Sequence, residues 1–189
     1  GTIVNSIVWH NTAGNAANVS GGTLSNVCTF PMPIGIEGIE QDPRLASLEE
    51  PRLLAGSPCI DAGANEAWMA GARDLGGGDR IRNGLADVGA YEAPAAFTGA
   101  LAAAVAADRA TVAAGFPVAF TVDVRGDALG FELDFGDGSK TNGQVAVRHA
   151  YAVPGMYAAV LAASNLTGRA GATATVEVVA QPVHYVSPA

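Results

Sequence analysis

Along the second half of the chain, apolar and polar positions alternate. Val118, Phe120, Val122 and Val124 are separated by Ala119, Thr121 and Asp123, and Phe131, Leu133 and Phe135 repeat the rhythm. A period of two is that of a strand with one face buried. Gly136-Asp137-Gly138-Ser139 follows directly, as a turn should. Further strands are expected at 145–148, 156–163 and 172–179, with turns at Pro154-Gly155 and Asn165-Leu166-Thr167-Gly168. About seven strands in some 85 residues predict a two-sheet, immunoglobulin-like β-sandwich. Residues 100–107 are Ala-rich enough to mimic a helix, but Thr111, Val112, Val118 and Val122 nearby favour strands.

The first half has another texture. Thr2-Ile3-Val4-Asn5-Ser6-Ile7-Val8-Trp9-His10-Asn11 reads as short β segments broken by asparagines, and a second pass runs from Val19 to Val27. Such spacing suits stacked coils, in which Asn at the bends stacks on the Asn above and bonds along the ladder. A single coil has nothing to stack on, so further coils are expected before residue 1. The chemistry changes near Pro94, and the expected division is 1–95, 96–180 and a short tail at 181–189.

Four segments carry a resemblance in the first half: Gly38-Ile39-Glu40-Gln41-Asp42-Pro43-Arg44-Leu45, Arg52 to Gly63 with Ser57-Pro58-Cys59-Ile60-Asp61, Asp74 to Gly84, and Asp87-Val88-Gly89-Ala90-Tyr91-Glu92. In this order they resemble the C-terminal segment of bacterial right-handed parallel β-helix surface proteins of the choice-of-anchor type. The resemblance implies that residues 1–95 are the terminal rungs and cap of such a solenoid. An open solenoid end exposes strand edges and apolar core, and Ile60, Ile81, Val88 and Tyr91 are candidates to cover it. Asp61 and Asp87 then serve as turn and backbone-bonding residues.

In the second half, Leu133-Asp134-Phe135-Gly136-Asp137-Gly138, His149-Ala150-Tyr151, Gly155-Met156-Tyr157 and Ser164 to Gly168 together resemble the PKD domain, found also in bacterial exported proteins. The structural motif carried by this resemblance is Asp134, Gly136, Asp137, Gly138, His149, Tyr151, Gly155, Tyr157 and Asn165. Leu133 departs from the family, which usually has Trp there. Some members bind calcium, which makes Asp134 and Asp137 a candidate calcium pair, although turn formation is their usual task. His184-Tyr185-Val186-Ser187 resembles the opening strand of another β-helix domain.

Charge narrows the function. The net charge of −8 and ten scattered basic residues argue against nucleic acid, which demands clustered Lys and Arg. No apolar run reaches the length of a membrane span. Of the two cysteines, an exported chain would join Cys28 to Cys59, closing a loop of about 30 residues, whereas a cytosolic one would keep two buried thiols. Asp74, Asp79 and Asp87 in a Gly-rich loop invite calcium, but their spacing fits neither the EF-hand nor the Gly-Gly-x-Gly-x-Asp repeat. His10, His149 and His184 show no metal-ligand spacing. His149 and Tyr151 read as structural, with no nucleophile motif beside them. Asn18-Val19-Ser20 and Asn165-Leu166-Thr167 match the glycosylation pattern, a short pattern that arises often by chance.

The expectation is therefore a non-catalytic structural or adhesive segment of an exported bacterial surface protein, with no cofactor apart from the candidate calcium. Its expected partners are polysaccharides, surface proteins and neighbouring β-helix domains. The alternative is an accessory module of a secreted carbohydrate-active enzyme whose catalytic rungs lie elsewhere.

Overall fold

The computed structural model describes residues 1–11 and 22–181. The Asn18-Val19-Ser20 pattern, the start of the second β pass and the His184 tail lie outside the described residues. Among the described residues, secondary structure is all-β apart from one 3-10 turn at Ala67–Met69.

β1 (Thr2–Val8) and β2 (Thr23–Thr29) pair in parallel, with Thr2 opposite Thr23 and Val8 opposite Thr29. Ile39 adds a single parallel bridge to Cys28. Asn5 and Asn26 interrupt the two strands at matching places, with φ of 47° and 49°. Asn tolerates this left-handed conformation better than most residues. Both amides reach across to one loop instead of along the ladder: Asn5 Nδ2 donates to Ala64 O at 2.7 Å and Asn26 Nδ2 to Ala62 O at 3.5 Å. The described residues form this short parallel stack, not a succession of rungs closed into a solenoid.

Residues 40–95 run as bends and turns with almost no ladder. Their order comes from side chains bonded to backbone, as at Ser57 Oγ to Pro43 O (2.6 Å) and Asp87 Oδ1 to Asp61 N (2.7 Å). Val88 and Tyr91 are buried, Ile60 packs against the core, and Ile81 is half-buried.

The sandwich begins at β3 (Ala102–Ala107), a strand whose side chains alternate in burial and which pairs antiparallel with β5 (Pro117–Arg125). β8 (Ala146–Ala150) completes this three-stranded sheet. The opposing sheet has the order β4-β10-β9-β6-β7, from β4 (Thr111–Ala113), β6 (Gly130–Asp134), β7 (Lys140–Asn142), β9 (Gly155–Ser164) and β10 (Arg169–Val179). The chain changes sheets between β3 and β4. Asp108 fixes that corner by exchanging bonds with Ala119, through its backbone N–H to Ala119 O and its Oδ1 from Ala119 N, both 2.9 Å. Inward residues Val118, Phe120, Val122, Val124, Phe131, Leu133, Leu161 and Val176 fill the space between the sheets.

That core does not stop at the sandwich. Leu45, Ala46, Leu53, Leu54, Cys28, Cys59 and Val88 belong to the same buried cluster as the sandwich interior. Val124 N donates to Ala46 O at 3.0 Å. Around this seam Arg125 meets Glu49 at 3.1 Å and Glu50 at 3.8 Å, and Arg52 meets Asp127 at 3.6 Å. The exposed ion pairs add little each; the continuous apolar contact carries the joint.

Candidate functional site

The residues of the PKD-like motif gather at opposite ends of the sandwich. At one end, β6 delivers Asp134 into a tight turn, where its Oδ1 accepts from Gly136 N at 2.9 Å and its Oδ2 faces Lys140 Nζ at 3.1 Å. Gly136 has φ of 84°, and a Cβ there would lie 2.7 Å from Ala158 O, so the turn packs against β9 only with glycine. Gly138, with φ of 94°, completes the reversal over open space.

Asp137 Oδ1 accepts from Ser139 N (3.0 Å) and Ser139 Oγ (2.5 Å), while its Oδ2 faces His149 Nε2 at 2.7 Å. The imidazole stacks on Phe135 with ring centres 4.1 Å apart and meets Tyr151 edge-on at 4.6 Å. Tyr151 stacks in turn on Tyr157 at 4.3 Å, and Phe120 lies 5.4 Å from Phe135. Five rings therefore run from the core to the surface. The Tyr151 hydroxyl, fully buried, donates to Phe135 O at 3.1 Å, and burial pushes its pKa up to about 12. Gly155 opens β9 beside the Tyr157 ring, whose hydroxyl donates to Val153 O at 2.8 Å.

Ser139, His149 and Asp137 have the residue types of a hydrolase triad without its geometry. A triad's imidazole uses one nitrogen for the acid and the other for the nucleophile. Here Asp137 and Ser139 both face Nε2, at 2.7 and 3.5 Å, and the serine proton goes to the aspartate. The cluster ties strand to turn. Asp134 and Asp137 likewise turn their oxygens onto their own loop, Lys140 and His149. Among the described residues no three His, Cys, Asp or Glu side chains converge as a metal site.

Burial raises the Asp137 pKa, but bonds from the Ser139 hydroxyl, Ser139 N–H and His149 outweigh it and bring the group down from 3.8 to about 2. A carboxyl whose folded pKa is lowered contributes stability above its unfolded pKa and loses it as pH falls through the folded value. The stability difference between the native chain and Asp137→Asn is therefore expected to shrink between about pH 4 and pH 2, read from urea midpoints at stepped pH. A difference that is constant with pH would contradict the assignment. Asp87 works with the opposite sign, because burial raises its pKa.

At the other end, Asn165 is a hub. Its Nδ2 donates to Gly99 O (3.0 Å) and Asp127 O (3.2 Å), and its Oδ1 accepts from Thr167 N (3.0 Å) and Gly168 N (2.9 Å). With the amide nitrogen committed to two carbonyls, the glycosylation pattern at this position is a folding motif.

In the first half, the acids of the Gly-rich loop separate. Asp74 accepts from Gly78 N (2.6 Å) and Glu92 N (2.9 Å), and Asp79 pairs with Arg73 on the surface. Asp87 accepts from Asp61 N and Ala93 N, which matches its expected backbone role. The sequence reading missed the buried cation among them. Arg80 donates to Asp87 O at 3.2 Å and Gly89 O at 3.0 Å and pairs with Glu92. It also missed Arg52, which lies 4.6 Å over the Tyr91 ring. No local pattern marks a buried arginine in a turn-rich segment.

The expected disulfide is not present: Cys28 and Cys59 are free, buried thiols. The expectation rested on compartment alone, which fixes no bond geometry. Cys28 Sγ donates to Gln41 O at 3.5 Å, and the neighbouring Cys59 thiol, with burial, pushes the Cys28 pKa up.

Two open grooves flank the strip formed by Asn5, Gly89 and Ala90. One, of about 360 Å³, is lined by Trp9, His10, Leu48 and Pro51. The other, of about 440 Å³, is lined by Glu66, Trp68, Met69 and Arg80.

An alternating two-sheet sandwich with an Asp-turn, a His-x-Tyr strand and an Asn hub defines an immunoglobulin-like domain held by hydrogen-bonded turns. Residues 91–180 match the PKD domain family and form a PKD domain. No curated protein matches the chain. Among solved structures, the chain is similar to one described under the promiscuous specificity of carbohydrate-binding modules from the β-sandwich superfamily, at 22% identity and a TM-score of 0.40. That match covers 43% of this chain and 35% of the other, so the chain spans about a third of its length. The PKD1 domain of Vibrio anguillarum Epp is similar at 18% identity and a TM-score of 0.37, over 44% of this chain and 98% of that one. The PKD domain of the human VPS10 domain-containing receptor SorCS2 is similar at 26% identity and a TM-score of 0.38, over 50% and 84%.

Proposed function

We propose that this chain is a non-catalytic structural segment of an exported bacterial surface protein, in which the PKD domain is a spacer fixed to the end of a parallel β-helix. The observation that carries the reading is the use made of the acids. Of the acids that invite a chemical role, Asp74, Asp87, Asp134 and Asp137 accept backbone N–H bonds through their carboxylates, and Asp79 pairs with Arg73. Buried carboxylates arranged for reaction would converge on a shared space; these bend and bond the chain.

The parallel order of β1, β2 and Ile39, with left-handed Asn5 and Asn26 at matching places, supports the β-helix part of the reading. The joined core and the PKD match support the spacer part. Incubated with a panel of plant and host polysaccharides, the purified chain is expected to release no reducing ends; reproducible cleavage overturns the proposal.

A second reading, an accessory module of a carbohydrate-active enzyme, is favoured by Trp68, which stands 66% exposed along a groove with Glu66. Exposed aromatic rings beside polar groups suit sugar faces. The same panel separates the two: retention on one immobilised polysaccharide, lost in Trp68→Ala, favours the module.

A further inference from the structure

β3 lies at the margin of its sheet, and only one of its sides is used. β5 pairs with it from Ala102 opposite Arg125 to Ala107 opposite Phe120, and among the described residues no strand adjoins its other side. Register decides which backbone groups are left over. Asp108, one step beyond the strand, sends its N–H to Ala119 O, so Ala102, Ala104 and Ala106, which share its parity, turn their backbone groups to β5. Val122, opposite Val105, sends its N–H away from β3 to Val145 O. The N–H and C=O groups of Ala103, Val105 and Ala107 therefore point to the open margin. The side chains of the same three residues pack against the core yet are only half-buried. Donors and acceptors thus stand without a strand, and the apolar interior behind them is incompletely sealed.

The other margins are guarded. β8 carries Arg148 and His149, the latter tied to Asp137. β4 and β7 have three residues each, and β7 contains Lys140. β1 is broken by the left-handed Asn5. Charges, short strands and breaks are the usual obstacles to strand addition. β3, six residues of Ala and Val, has none of them.

We propose that β3 is a strand-addition site for a second copy of this chain, joined antiparallel about a two-fold axis at Val105. In that register Val105 meets Val105 of the second copy and Ala103 meets its Ala107, and each matched pair exchanges two hydrogen bonds. Between them Ala104 lies opposite Ala106. Farther out Ala102 faces Asp108 and Leu101 faces Arg109, so no like charges are opposed. A net charge of −8 on each copy resists association in general, and an uncharged, self-matching margin is where two copies approach at least cost. Pairing merges the two three-stranded sheets into one and shields Ala103, Val105 and Ala107.

The test is sedimentation of the whole chain over a range of concentrations, with two double variants at the exposed positions Ala104 and Ala106. The native chain is expected to pass reversibly from monomer to dimer. Ala104→Lys with Ala106→Lys sets like charges against each other at both symmetric contacts and is expected to weaken the dimer roughly tenfold. Ala104→Lys with Ala106→Glu opposes Lys to Glu at the same places and is expected to bind at least as tightly as the native chain. Amide exchange at Ala103, Val105 and Ala107, followed by NMR, is expected to slow as the dimer forms. A native chain that is monomeric at every concentration, or a dimer indifferent to both variants, overturns the proposal. A Lys–Glu variant as weak as the Lys–Lys variant overturns the two-fold register. Slow exchange of the three amides in a monomeric chain would place another segment along β3 and overturns the second copy as its occupant.

Discussion

Replacing Tyr151 by alanine is expected to destabilise the fold by about 3–5 kcal/mol, the range for deleting a buried aromatic side chain. The ring is fully buried, contacts His149 and Tyr157 on its two sides, and its hydroxyl holds the Phe135 carbonyl. Truncation leaves a cavity in the five-ring row, between His149 and Tyr157, and an unpaired carbonyl at its floor. Tyr151→Phe separates the two losses, since it keeps the ring and is expected to cost only about 1 kcal/mol. Urea midpoints at constant slope measure both. A tyrosine-to-alanine change costing no more than the phenylalanine variant would show that the ring row is incidental to stability.

A second large effect is expected at Arg80. Its guanidinium is buried among Asp87, Gly89 and Glu92, where burial lowers its pKa while Asp87 and Asp74 favour its charge. Removing the cation in Arg80→Ala strands the Glu92 carboxylate, which is itself 4% exposed. Breaking one side of a buried pair typically costs about 3–5 kcal/mol, most of it from the charge left behind. The double variant Arg80→Met, Glu92→Gln is therefore expected to be more stable than Arg80→Ala. Thermal unfolding of the single and double variants checks this; a double variant less stable than the single one would place the energy in the packing of Arg80 and not in the pairing.

These two sites differ in how far the sequence foretold them. Tyr151 stands in a His-x-Tyr pattern on a strand of regular alternation, and strands β5, β6, β9 and β10 were readable for the same reason: one face of each is buried and one is not. The three-residue strands β4 and β7 were too short to show a period. Residues 100–107 could be read as helix from their alanines, and pairing with β5 decided for strand.

Arg80 gave no such warning. The first half is ordered by side chains bonded to distant backbone, as Asn5 is to Ala64, and those bonds leave no periodic trace. The asparagine pair was legible as bends, but its partners were not, because the 62–64 loop that receives both amides lies far away in sequence. The two cysteines were legible, but the bridge expected between them rested on compartment, which leaves no trace of geometry. The apolar seam was invisible for a related reason: Leu45 and Leu53 meet in a single isolated bridge and Leu54 follows it, too short a pairing to leave a period that distinguishes a buried leucine from an exposed one such as Leu48.

That seam also separates chemistry along the chain from mechanics in space. The composition changes near Pro94, which invites a hinge, yet the Val124 amide is satisfied by Ala46, and Leu54 lies against Gly143. A sandwich swivelling about residue 95 would lose that bond and wet those leucines together. The orientation of the domain is accordingly inherited from the segment before it, through Ala46 and the leucines around it.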